Sequence, residues 1–135
     1  MKHLAVGTAL LLSLTLVGCS DAEDLVKDKA GDAACSVAQQ AMDEAGQQAQ
    51  KALDQVQADP RAAEQKLTAL RDSLKALEDQ LDGETGGKVT EAREALDRLV
   101  EQADAARAGT PVDDEAVADA KADLDTAVED FASVC

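Results

Sequence analysis

Apolar and small residues recur along this chain at alternating steps of three and four. The first run passes through Cys35, Ala38, Met42, Ala45, Ala49, Ala52 and Val56. A second runs through Ala63, Leu67, Leu70, Leu74, Leu77 and Leu81, and a third through Val89, Ala92, Leu96, Leu99, Ala103 and Ala106. The fourth holds Val117, Ala120, Leu124, Ala127, Phe131 and Val134. Alternating three and four averages 3.5 residues, which places every member of a run on one face of an α-helix, as in bundles and coiled coils. No stretch alternates with the period of two that a half-buried strand requires.

Helix-breaking residues fall between the runs. Asp59-Pro60 offers an N-cap acid followed by proline at the first helical position, where a missing N–H costs nothing. Gly83 with Gly86-Gly87 predicts the close of the second helix and a loop. Thr110-Pro111-Val112-Asp113 predicts a further start, with Thr110 as N-cap and Asp113 reaching back as in a capping box. Asp114 and Glu115 then load the positive end of the helix dipole. The expected helices run at about Asp32 to Gln57, Pro60 to Asp82, Lys88 to Ala108 and Pro111 to Val134. With short connections they form an all-α, antiparallel, up-down-up-down four-helix bundle over residues 32–135.

Composition changes this picture in two ways. Phe131 is the only aromatic residue, so Ala, Leu and Val must build the core of one small domain. Thirteen Lys and Arg against 28 Asp and Glu give a formal net charge of -15, a surface that repels nucleic acid and anionic headgroups.

The N-terminal stretch differs from everything after it. Lys2 and His3 precede an apolar run, Leu4 to Val17, broken only by small Gly, Ser and Thr residues, and no acid comes before Asp21. That is the layout of a signal peptide, and it is short for a membrane span. The run ends in Leu16-Val17-Gly18-Cys19, which resembles a bacterial lipobox: an aliphatic residue, a small or aliphatic one, Gly or Ala, then Cys. The resemblance to bacterial lipoproteins covers residues 1–19. It implies that residues 1–18 are removed and that Cys19 takes a diacylglycerol thioether and becomes the first residue of the mature chain. Residues 19–31 then form the lipidated cysteine and a polar tether, although Leu25-Val26 also allows an extension of the first helix.

Export bears on the remaining cysteines. Outside the cytoplasm thiols are oxidised, so with Cys19 lipidated, Cys35 and Cys135 are read as a disulfide, the alternative being two free thiols. Helix count decides whether they can meet. An even number of antiparallel helices brings the start of the first and the end of the last to the same end of the bundle. If Pro60 merely kinked one long helix, the count would fall to three and the cysteines would lie far apart.

Candidate chemistry is sparse. The segment "GETGGKVT", Gly83 to Thr90, has Gly87-Lys88 before a helix in the manner of a phosphate-binding P-loop. Its glycine spacing is one residue short, Val89 stands where a magnesium-binding Ser or Thr belongs, and no strand leads in, so it is read as an interhelical loop. His3 is the only histidine and leaves with the signal, which removes His-based nucleophile activation and His-ligated metal sites from the mature chain. Carboxylate pairs such as Glu78-Asp79 and Glu129-Asp130 are expected on solvated helix faces, with no EF-hand-type loop to gather them.

Two surface features remain. The first helix carries Gln39, Gln40, Gln47, Gln48, Gln50, Gln55 and Gln57, and the fourth carries eight acids from Asp113 to Asp130 against Lys121. Either could be a contact surface, the acidic one for a basic partner, although Gln and Glu also serve simply as helix formers on exposed faces. The expected protein is a non-enzymatic helical interaction or structural module, lipid-anchored through Cys19 on the extracytoplasmic face of the cell membrane. It is expected to use no cofactor, catalytic residue or metal, and to meet an unidentified protein partner and no nucleic acid. The alternative is a carrier of a small ligand or metal cation in the bundle core, which would need a cavity with convergent polar groups.

Overall fold

A computed structural model describes the backbone of residues 20–135 and the side chains of residues 31–135. Among the described residues the chain forms four helices and no strand: α1 (Ser20–Gln55), α2 (Pro60–Glu78), α3 (Gly83–Arg107) and α4 (Asp114–Val134). They pack as the expected four-helix bundle, each helix on the next in sequence, with α1 also meeting α4. Cross-helix ion pairs give the direction. On α2 and α3 they are Glu64–Arg107, Arg71–Asp97 and Glu78–Arg93, so position rises on one helix as it falls on the other. Lys88–Asp130 and Arg98–Asp123 set α3 against α4 in the same antiparallel sense.

The seams read from the sequence form the core. Ala38, Met42, Ala45, Ala49 and Ala52 of α1 are buried with Val56 just after it, as are Ala63, Leu67 and Leu74 of α2. Val89, Ala92, Leu96, Leu99 and Ala103 of α3 meet Ala120, Leu124, Ala127 and Phe131 of α4 in the same cluster. Leu70, Leu77, Leu81, Ala106 and Val117 are half-buried and pack on its margin. Ala95 is fully buried although it lies off the 3.5-residue seam. The reason is position: α3 makes the two most extensive helix–helix interfaces, with α2 and with α4, so its buried face must be wider than one stripe.

Three boundaries differ from expectation. The backbone is already helical at Ser20, before the expected start at Asp32, so residues 20–31 form the extension of the first helix that the sequence allows beside a tether. In place of a glycine loop, α2 ends at Glu78 and α3 begins at Gly83 with φ +66°, a left-handed conformation that glycine adopts freely. Gly86 and Gly87 lie inside α3. Gly86 is there for space: a Cβ on it would stand 2.6 Å from the carbonyl oxygen of Leu81, where the tight turn folds back on the new helix.

The third difference concerns Thr110, which does not cap α4. Gly109, φ +82°, follows the C-cap Ala108, and its N–H donates to Ala106 O at 3.0 Å while the Thr110 N–H donates to Ala105 O at 2.9 Å. That is a Schellman motif, which commits Thr110 to the end of α3. The N-cap of α4 is Asp113, whose Oδ1 accepts from the Glu115 and Ala116 N–H groups at 3.1 Å each. Gln102 Oε1 of α3 accepts from the Asp113 N–H at 3.0 Å and fixes where α4 starts. At α2 the expectation holds, with Asp59 Oδ1 accepting from Ala62 N–H at 3.0 Å and Pro60 in the first turn.

Candidate functional site

The even helix count has the consequence drawn for the cysteines. Cys35 on α1 and Cys135 after α4 come to disulfide distance, with their Cα atoms 5.5 Å apart, inside the range a bridge allows. Cys35 is half-buried and Cys135 exposed. Cys19 lies outside the described residues, as does the whole apolar run before it. Its chain neighbour Ser20 opens α1, and at 1.5 Å per residue the helical path from Ser20 to Cys35 is about 22 Å. No helix of the described residues is long and apolar enough to cross a membrane.

The acidic surface of α4 divides into paired and unpaired members. Asp123 accepts from Arg98 at 2.7 Å, Asp130 accepts from Lys88 at 3.0 Å, and Asp113 is spent on the cap. Among the described residues Asp114, Glu115, Asp119, Asp125 and Glu129 have no cationic partner. Two of these, Asp125 and Glu129, flank a surface groove of about 320 Å³ whose other wall is Asp43, Gln47 and Gln50 of α1 and whose floor is Gly46 and Val128. The groove thus joins the two features singled out in the sequence, the Gln-rich helix and the acidic one. A second groove of about 320 Å³, between α1 and α2, is lined by Ala41, Glu44, Ala45, Gln48, Leu70, Ser73 and Leu74. Both open to solvent, and among the described residues no polar or charged residue is buried in the interior.

The carboxylate pairs are less uniform than helix faces alone suggest. Glu78 is half-buried and accepts from Arg93 Nε at 2.7 Å, and that hydrogen bond holds its carboxyl below the ordinary range. Arg93 also donates to Asp97 at 3.0 Å, and Asp97 in turn meets Arg71, so a ladder of charges stitches α2 to α3. Sequence alone leaves these partners hidden, because they depend on the vertical register of two helices.

Lys88, the residue that gave "GETGGKVT" its likeness to a P-loop, is engaged elsewhere. Its ammonium lies 3.0 Å from Glu91 and 3.0 Å from Asp130, and the hydrogen bond to Asp130 above all raises its pKa. The two carboxylates surround it with negative charge, the reverse of a phosphate cradle. Among the described residues no group of three or more His, Cys, Asp or Glu is arranged to hold a metal ion. No family model, curated protein or solved structure matches this chain.

Proposed function

We propose that this chain is a bacterial lipoprotein whose helical bundle is a non-enzymatic interaction module, held on the extracytoplasmic face of the cell membrane by acylated Cys19. The observation that carries the reading is the Leu16-Val17-Gly18-Cys19 lipobox at the end of the apolar run, directly before the first residue of α1. In this reading the lipid is attached to a helix that continues into the bundle. A partner would meet the bundle along α4, where unpaired carboxylates favour a basic surface and speed its approach.

The test has two parts. Mass spectrometry of the mature N-terminus should find a diacylglyceryl group on Cys19, the protein should partition into detergent, and Cys19→Ser should leave an uncleaved or soluble precursor that carries no lipid. An unlipidated mature N-terminus at another residue overturns the anchor. For the module, envelope proteins captured on the Cys19→Ser protein should bind more weakly, with a flatter salt dependence, to Asp119→Lys with Glu129→Lys. Both positions are exposed and unpaired, so stability should change by less than about 1 kcal/mol. Equal capture at low salt removes α4 as the contact.

A further inference from the structure

The polar bonds between helices are unevenly distributed. Helices α2, α3 and α4 are tied to one another by the Glu64–Arg107, Glu78–Arg93, Lys88–Asp130 and Arg98–Asp123 ion pairs. Among the described residues no ion pair or side-chain hydrogen bond joins α1 to any other helix. Among the described side chains of α1, the one hydrogen bond stays within the helix, from Gln48 to Glu44 at 2.7 Å.

The apolar contacts are uneven in the same direction. Among the described residues the fully buried side chains of α1 are alanines with Met42 the one large one, and Leu53 is half-buried beside them, whereas α2 to α4 bury Leu67, Leu74, Leu96, Leu99, Leu124 and Phe131. An alanine methyl takes far less apolar surface out of water than a leucine or phenylalanine, so α1 adheres least per turn. Beyond this thin apolar seam, its packed stretch is held by covalent connection at two points: the short turn from Val56 to Asp59 at one end, and Cys35 against Cys135 at the other. A helix tethered at both ends sits over its groove at high effective concentration. Tethered at one end, it is a hinged arm.

We propose that the Cys35–Cys135 bridge is a redox latch on α1, and that its reduction lets α1 swing from α2–α4 as a unit while those three helices stay packed. The reductant is a dithiol protein or small dithiol. One of its thiolates attacks a sulfur of the bridge, forming a mixed disulfide and expelling the other cysteine as a thiolate. Its second thiol, as thiolate, then displaces the protein sulfur, and the two protons given up by the dithiol end on Cys35 and Cys135. Two electrons pass to the protein and the dithiol leaves as a disulfide. The opened state uncovers the part of the apolar core that α1 covers.

Native-state hydrogen exchange on the whole chain tests this, in the bridged form, after reduction with dithiothreitol, and in the Cys35→Ser with Cys135→Ser variant without reductant. The readout is the protection of α3 amides between Ala92 and Ala103 relative to α1 amides between Ala38 and Val56. That ratio should rise by about tenfold or more on reduction and in the double variant, because α1 gains an opening that α3 does not share. A ratio that stays constant, whether protection is kept or lost in all helices together, shows one cooperative unit and overturns the latch.

Discussion

At Gly86 and Gly87 two identical neighbours in one helix have opposite reasons to be glycine. A Cβ on Gly86 would meet the Leu81 carbonyl oxygen at 2.6 Å, whereas one on Gly87 would meet nothing within 4 Å. Gly87→Ala should therefore stabilise the bundle by about 0.5 to 1 kcal/mol, the usual gain in a helix interior. Gly86→Ala should cost about 1 to 3 kcal/mol, since backbone must shift to admit the methyl. Chemical denaturation of both variants checks the pair, and equal effects would mean that the turn at Leu81 yields easily. Nothing local in "GETGGKVT" separates the two glycines, because the difference comes from where Leu81, ahead of that segment, lies in space.

At the level of helices, what the sequence disclosed follows a simple division. The four apolar seams and the cap at Asp59 are local patterns, and they are found where the spacing puts them. The Schellman end of α3 was also legible, since glycine followed two residues later by proline, as in Gly109-Thr110-Pro111, is a familiar stop signal. Thr110 was the more conspicuous cap, and the two signals compete for one residue. The Glu78–Arg93 pair was not legible, because it needs the register of α2 on α3. It has a pH consequence. Because the hydrogen bond from Arg93 lowers the Glu78 pKa in the folded protein, the stabilisation it gives is fully present above the unfolded carboxyl's value, about 4.3, and is lost as pH falls through the lower folded value. The stability difference between wild type and Glu78→Gln should then be constant near neutral pH and shrink in acid. Differencing matters, since protonating the many other acids relieves repulsion and acts with the opposite sign. A gap that is independent of pH would place Glu78 in water.

For the whole molecule, the formal charge of -15 outweighs the handful of cross-helix pairs. Raising ionic strength from about 0.01 to 0.15 M shortens the Debye length from about 30 to 8 Å, which screens the long-range repulsion more than it weakens contacts near 3 Å. The melting temperature should therefore rise with salt, and a fall would mean that the ion pairs carry more of the stability than their exposure implies. The cysteine pair has a different kind of consequence. Its partners are 100 residues apart in sequence, so closing the bridge turns almost the entire bundle into a covalent ring. A ring survives one cut. A protease that nicks the turn at Asp79–Asp82 or the connection at Ala108–Asp113 leaves both pieces joined through Cys35 and Cys135, so no helix is lost from the molecule.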